Sequence, residues 1–412
     1  MITKNKLPPP AAWPVFPPDE IDAATAVLRS GKVNYWTGTV CRDFERDYAA
    51  YVGTKYAVAV ANGTVALELA LYALGVGEGD EVITTSRTYI ASASCAVMRG
   101  AIPVVVDVDR DTQNICPKAI AAAVTPRTRA IIVVHLAGWP CDMDAIMAIA
   151  VQHGLKVIED CAQAHGATYK GRAVGSIGHA AAFSFCQDKI ISTGGEGGMM
   201  TTNDEIVWER AWAYKDIGRS YDAVYGREHP PGFRWLTETF GTNWRLTEVQ
   251  AAIGRLQLAK LDQWRAQRQA NADLYTSVFQ SIPAIRLPVP PASIQHAYYK
   301  YYAFVEPSAL APGWSRDRLV EELNAVGVPC FVGSCSEIYL EKAFENMPSR
   351  PGERLPVAQE LGETSLMFVV HPTLDRAWME SVVGAIEQVF RMATRDGDDP
   401  VASHADAAKV PA

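Results

Sequence analysis

Leu155-Lys156-Val157-Ile158-Glu159-Asp160-Cys161-Ala162-Gln163, then Phe183-Ser184-Phe185-Cys186-Gln187-Asp188-Lys189 and Gly194-Gly195-Glu196-Gly197-Gly198, are the stretches on which the fold of this chain turns. Two short apolar runs, each ending in polar residues, read as buried strands with chemistry at their C-terminal ends. Alone, Asp160 is a candidate turn cap and Lys189 a candidate solvated surface charge. Together, an acid at a strand end and a lysine beside a glycine cluster meet the needs of pyridoxal phosphate (PLP). The lysine amine condenses with the aldehyde, and the aspartate keeps the pyridine nitrogen protonated so that the ring can take up carbanion electrons.

Outward from these stretches, residues 57–61, 81–85, 103–106, 130–134, 155–159, 181–185 and 198–202 read as strands. Helical spacing lies between them at 65–75, 90–99 and 143–153. Near-continuous apolar strands separated by helices predict an α/β fold with a mostly parallel seven-stranded sheet covered by helices. Ligands of such sheets bind beyond the strand C-terminal ends. After residue 257 the character changes to a charged helix over 258–279, proline-rich segments, the aromatic run Tyr298-Tyr299-Lys300-Tyr301-Tyr302, and helical patterns near 317–325 and 379–392. The expected organisation is a proline-rich N-terminal arm (1–18), a large cofactor-binding α/β domain (19–257), a smaller C-terminal α+β domain (258–393) and a disordered tail (394–412). Residues before about 42 are expected to pack against the smaller domain.

Composition narrows the function. Hydrophobic residues make up 49% and charged residues 20%, an ordinary globular mix. The net charge of −8 and the lack of a basic patch argue against nucleic-acid or membrane-surface partners. The eight cysteines are scattered without a CxxC pair, so no metal site is expected and free thiols in a reducing cytosol are. No apolar signal region opens the chain, and its longest apolar run, 130–139, is too short for a membrane helix. A cytoplasmic location is therefore expected.

Asn62-Gly63-Thr64 ends one strand and opens a helix. This is either a plain helix cap or a phosphate site built from free N–H groups, a close backbone approach at Gly63 and the Thr64 hydroxyl. Ser184 is either a small core residue or a second hydroxyl for the same phosphate. Tyr89, after the strand at 81–85, is either a core tyrosine or the flat ring that covers a cofactor face. Gln163 is placed to reach the phenolic oxygen of the cofactor, and His165 reads as a structural or supporting histidine.

These residues, with Gly79-Asp80-Glu81-Val82-Ile83, Asp107-Val108-Asp109, His135-Leu136-Ala137-Gly138 and Gly241-Thr242-Asn243-Trp244-Arg245-Leu246-Thr247-Glu248, resemble the DegT–StrS family of PLP-dependent sugar aminotransferases over about residues 20–390. The resemblance implies the type I fold of PLP-dependent transferases and a set of roles. Lys189 forms the imine with PLP and Asp160 pairs with the pyridine nitrogen. Gln163 lies near the ring and Tyr89 stacks on it. Gly63, Thr64 and Ser184 hold the phosphate. Asn243 reaches the phosphate in the neighbouring subunit, which implies a homodimer. The implied reaction moves an amino group from L-glutamate or L-glutamine to a keto sugar, foremost a nucleotide-linked keto-deoxysugar, in amino-sugar or polysaccharide biosynthesis. Alternatives are a cyclic ketone of the scyllo-inosose type or an eight-carbon keto sugar acid.

Asn62 stands where many relatives have serine, Trp244 where many have tyrosine, and the aromatic segment 217–240 is longer than the family pattern suggests. Asn34, Tyr35, Arg234 and Trp235 are candidate substrate residues; Arg234 and Trp235 equally suit a surface loop packed on its own aromatics, and Asn34-Tyr35-Trp36-Thr37-Gly38 and the tyrosine run at 298–302 suit a pocket lining or the core equally. Lys189 argues against the dehydratase branch, which carries histidine there. A cysteine desulfurase would need a mobile nucleophile such as Cys335. A PLP-binding regulator without catalysis is the remaining alternative.

Overall fold

A computed structural model of the chain describes residues 6–394. The central sheet contains β1 (Tyr56–Val60), β2 (Glu81–Thr85), β3 (Ile102–Val106), β4 (Thr128–Val134), β5 (Lys156–Asp160), β6 (Ala180–Ser184) and β7 (Gly198–Thr202). Their spatial order is β1-β7-β6-β5-β4-β2-β3. From β3 to β6 the neighbours pair in parallel, while β7 lies antiparallel between β6 and β1. Strands β2, β6 and β7 are buried along their whole length, which is why their sequences are apolar or small at nearly every position instead of alternating.

A second sheet carries the C-terminal lobe. Tyr301–Val305 pairs antiparallel with Ile285–Arg286 and with Ser365–Phe368, and the last pairs with Cys330–Phe331. Its core gathers Tyr275, Phe279, Phe368 and Phe390.

The two lobes share one 32-residue helix, Glu248–Phe279. It starts ten residues before the helix expected from 258 and runs across the 257/258 division. The start signal is Thr247-Glu248-Val249-Gln250, a capping box in which Thr247 and Gln250 bond each other's backbone N–H. Ala251, Leu258 and Leu261 on this helix join the core of the large lobe, while Ala272, Tyr275 and Phe279 join that of the small one.

Helices Pro18–Ser30 and Val40–Val52, which the strand-centred reading passes over, both pack on the long helix. Glu20 accepts from Gln257 Nε2 at 2.8 Å and Lys260 Nζ at 2.8 Å. The arm lies on the small lobe, as Leu7 N donates to Val326 O at 3.0 Å and Trp378 Nε1 to Pro8 O at 3.0 Å. Tyr35 and Cys41 instead belong to the large lobe, being buried in its core with Phe44 and Tyr48. That corrects the expectation that everything before 42 faces the small domain.

All eight cysteines are free, and among the described residues no helix is long and apolar enough to cross a membrane. Apart from Thr394, the expected tail lies outside the described residues.

Candidate active site

The C-terminal ends of β1, β5 and β6 and the turn after β2 open into a cleft of about 850 Å³, closed on one side by Tyr299, Lys300, Tyr302, Phe331, Gly333 and Ser334. Gly63, Thr64, Tyr89, Asp160, Gln163, Ser184 and Lys189 all line it. Its volume falls within the roughly 300–1,000 Å³ of small-molecule sites.

Asp160 ends β5 at the cleft floor and is buried. One carboxylate oxygen accepts from Ser92 Oγ at 2.8 Å and the other from Ala162 N at 3.2 Å. Ser92 is itself 3.0 Å from Thr88 Oγ1, so a short hydroxyl chain steadies the acid. Burial pushes the Asp160 carboxyl above its ordinary range; the Ser92 and Ala162 bonds and the Lys189 charge oppose this but are outweighed. No ion pair to Asp160 occurs among the described residues. A buried acid without a bonded cation suits the protonated nitrogen of a heterocycle. Ser92 was not singled out from the sequence. Its only signal is the Thr88/Ser92 spacing, which puts both hydroxyls on one face of a helical turn.

The phosphate candidates converge at the N-terminus of helix Gly63–Ala73. Asn62 caps it, its Oδ1 accepting from Val65 N at 3.0 Å. This leaves the N–H groups of Gly63 and Thr64, which a helix start cannot satisfy internally, at the cleft. A side chain at Gly63 would place its Cβ 2.6 Å from Ser184 Cβ, and one at Gly198 would lie 2.3 Å from Asn62 O. The close approach of β1, β6 and β7 around this turn therefore depends on both glycines. Ser184 Oγ accepts from Cys186 N at 3.3 Å. Gln163 Oε1 accepts from Ala137 N at 2.7 Å, which leaves its NH2 as the group offered to the cleft. Tyr89 is 69% exposed at the cleft mouth.

Lys189 sits on the loop after β6. Its backbone N donates to Cys186 O at 3.1 Å, and its carbonyl accepts from Trp13 Nε1 at 3.0 Å. Its Nζ lies 4.9 Å from the Tyr299 ring centre, and Lys300 Nζ lies 4.8 Å from the same centre. The Tyr299 hydroxyl donates to Asp188, and burial, followed by the Asp188 charge, pushes that phenol upward. Tyr299, Lys300 and Tyr302 of the aromatic run thus supply one wall of the site.

Two histidines nearby are structural. His165 Nε2 donates to Ser184 O at 2.9 Å, and its Nδ1 lies 2.8 Å from Tyr48 Oη. Burial drives its pKa down to about 3, so the ring is neutral. His135 Nδ1 accepts from Cys141 N at 2.9 Å, and its Nε2 is 3.0 Å from Glu159. Glu159 also accepts from the backbone N–H groups of Gly175, Ile177 and Gly178. Burial raises the Glu159 carboxyl, but these bonds outweigh it and hold it below its usual range. With so many donors committed to Glu159, the His135, Glu159 and Cys161 trio braces the sheet end and offers no open ligand set for a metal.

Several expected residues do not meet the cleft of their own chain. Asn243 is exposed and paired through its backbone with Asp216. Asn34 is exposed and caps a local turn by accepting from Trp36 N. Tyr35 is buried; it donates to Glu45 at 2.8 Å and accepts from Trp212 at 3.0 Å, with the Lys215 ammonium 3.4 Å from its ring centre. Its hydroxyl and its ring face are both committed to the core, so of the two settings expected for Tyr35 the structure has the core one. Arg234 is exposed and Trp235 is 85% exposed, the latter stacked edge-on to Phe233 at 5.1 Å and away from the cleft. Cys335 is exposed, and local desolvation pushes its thiol upward, the opposite of the shift that activates a thiolate.

The donor set fits PLP: a buried acid for the ring nitrogen, a helix N-terminus with two hydroxyls for the phosphate, and a lysine amine on the adjacent loop. Comparison with known proteins agrees. A crystal structure of an aminotransferase from Psychrobacter cryohalolentis is 56% identical and superposes with a TM-score of 0.92, covering 93% of this chain and 99% of that one. The spore coat polysaccharide biosynthesis protein SpsC of Bacillus subtilis is 36% identical over 95% of this chain and 99% of its own length. The dTDP-3-amino-3,4,6-trideoxy-alpha-D-glucose transaminase of Streptomyces venezuelae is 38% identical over 90% of this chain and 92% of its own. The profile of the DegT/DnrJ/EryC1/StrS aminotransferase family matches residues 16–387, nearly the whole described chain. The chain belongs to this family of PLP-dependent, fold type I aminotransferases.

Proposed function

We propose that the protein transfers an amino group from L-glutamate or L-glutamine to a nucleotide-linked keto-deoxysugar, in amino-sugar or polysaccharide biosynthesis. The observation that carries this reading is the convergence of Lys189 and Asp160 on one roomy cleft. The polysaccharide and dTDP-sugar names of the two relatives support this substrate class.

PLP supplies an aldehyde that accepts the amino group and a ring that takes up the electrons of a deprotonated carbon. Gly63, Thr64 and Ser184 hold its phosphate, Asp160 its ring nitrogen, and Gln163 its phenolic oxygen. Lys189 Nζ takes the α-proton of the amino acid donor and, in the return direction, delivers a proton to the carbon that carried the keto group. Tyr89 covers the cofactor from the cleft mouth.

Two copies pair, so that Asn243 and the 217–240 segment reach the neighbouring cleft. Support comes from the exposure of Phe233 at 77%, Trp235 at 85% and Phe240 at 98%, an apolar surface that a monomer rarely presents to water. In that arrangement Arg234 and Trp235 border the partner's substrate.

The test is the absorbance of the purified, PLP-saturated protein before and after excess L-glutamate or L-glutamine. Loss of the visible band of lysine-bound cofactor with one donor identifies that donor, and keto sugars are then screened by recovery of the band. No change with either donor would remove the assignment of donor and direction.

A further inference from the structure

Among the cleft-lining residues only Lys189 and Lys300 are cationic. Both ammonium groups stand over the same ring, 4.9 and 4.8 Å from the Tyr299 centre. Lys189 is committed to the cofactor aldehyde, which leaves Lys300 as this chain's sole cation for an anionic substrate. Lys300 is half-buried and forms no hydrogen bond or ion pair among the described residues. The nearest acid, Asp188, is occupied by the Tyr299 hydroxyl.

Behind this ring the charge is also positive. Arg268 is buried, with NH1 donating to Tyr298 O at 3.2 Å and Tyr299 O at 3.4 Å, and its Nε and second amino group are unpartnered. Burial, the Arg268 charge and the Lys189 charge all push the Lys300 ammonium downward, while Asp188 pulls it up. An unpaired ammonium held in such a place is costly to the empty protein and becomes favourable when an anion arrives.

We infer that Lys300 is the specificity residue that binds the α-carboxylate of the amino acid donor. This rests on the amino-transfer reading above. The donor's carboxylate is bonded to the same carbon as its reacting nitrogen, so it must lie in the cleft near Lys189, and Lys300 is the other cation that lines this cleft, close enough for the Lys189 charge to act on it. A phosphate of the sugar nucleotide is the other anion that could claim Lys300, and the experiment separates the two.

Glutarate, an unreactive dicarboxylate, and UDP are titrated calorimetrically into the PLP-saturated protein and its Lys300→Met and Lys300→Arg variants. Methionine keeps the length and apolar stem of lysine, and a thermal melt checks that the variants fold. Lys300→Met is expected to weaken glutarate about tenfold, roughly the 1.4 kcal/mol of one charge-assisted bond, with UDP unchanged and Lys300→Arg restoring much of the loss. In the spectral half-reaction the same variant should need about tenfold more L-glutamate for half-saturation, while its limiting rate changes much less. Unchanged glutarate affinity in Lys300→Met, loss confined to UDP, or no glutarate binding by the unmodified protein would overturn the assignment. Failure of the unmodified protein to react with either amino donor would strike the transfer reading instead, since the glutarate titration does not depend on turnover.

Discussion

Replacing Asp160 with Asn separates what the acid does for the fold from what it does for the chemistry. The carboxyl is buried, with Ser92 and Ala162 as its hydrogen-bond donors, and burial lifts its folded pKa above the unfolded value. The sign follows. Below the unfolded pKa, near 3.9, Asp160 is protonated in both states and costs nothing. As pH rises from there through the folded pKa, the unfolded chain gives up its proton first, and the cofactor-free protein loses about 1.4 kcal/mol of stability per pH unit across that window. Asparagine keeps the shape and does not titrate. Cofactor-free Asp160→Asn should therefore melt above the unmodified protein at pH 7.5 and converge with it near pH 4. Turnover of the PLP-loaded variant should fall by about 10²–10³-fold, the usual effect of removing one electrostatic contact made at developing charge. Calorimetric melts at several pH values and the glutamate half-reaction read the two effects. A cofactor-free variant less stable than the unmodified protein at pH 7.5 would show that the carboxylate has a cationic partner in the empty cleft, and the argument for a vacant cation position at its side would fail.

Lys189→Ala should abolish turnover and the visible absorbance of bound cofactor while leaving the melt nearly unchanged; transamination by this variant would remove Lys189 from its role. Gly63→Ala puts a Cβ 2.6 Å from that of Ser184, so it should destabilise the protein by about 1–3 kcal/mol and release PLP on dialysis, whereas full retention would place the phosphate elsewhere. His165 is held neutral with a pKa of about 3, so its contribution is present above pH 6.5 and is lost as pH falls towards 3. The stability gap between the unmodified protein and His165→Asn should accordingly shrink below pH 6.5 by up to about 1.4 kcal/mol per unit, and a gap independent of pH would refute the neutral assignment.

The strand ends and helix starts of the cofactor side were legible because each is a local signal. Gly63 opens a helix directly after an apolar run, and Asp160 ends another. The long helix was misplaced at its start because its charged face hides the amphipathic period, and the information lay in four capping residues at 247–250. Tyr35 stayed open between pocket and core because an aromatic beside Trp36 and Gly38 suits either. Its burial depends on Glu45, Trp212 and Lys215, the last two far away in sequence. Ser92 carries no local mark that distinguishes a carboxylate partner from an ordinary helix-start hydroxyl.

The sequence by itself determined which apolar runs become buried strands and which family the chain belongs to, because hydrophobic runs and turn residues act over a few positions. Only the tertiary structure decided which polar groups meet. Tyr299 and Lys300, far downstream in sequence, line the same cleft as Lys189, and Trp13 arrives from the N-terminal arm to hold its carbonyl. The relation between Lys189 and Lys300 exists only because the shared helix docks one lobe on the other. Such long-range contacts are set by packing of whole elements, which no local pattern encodes.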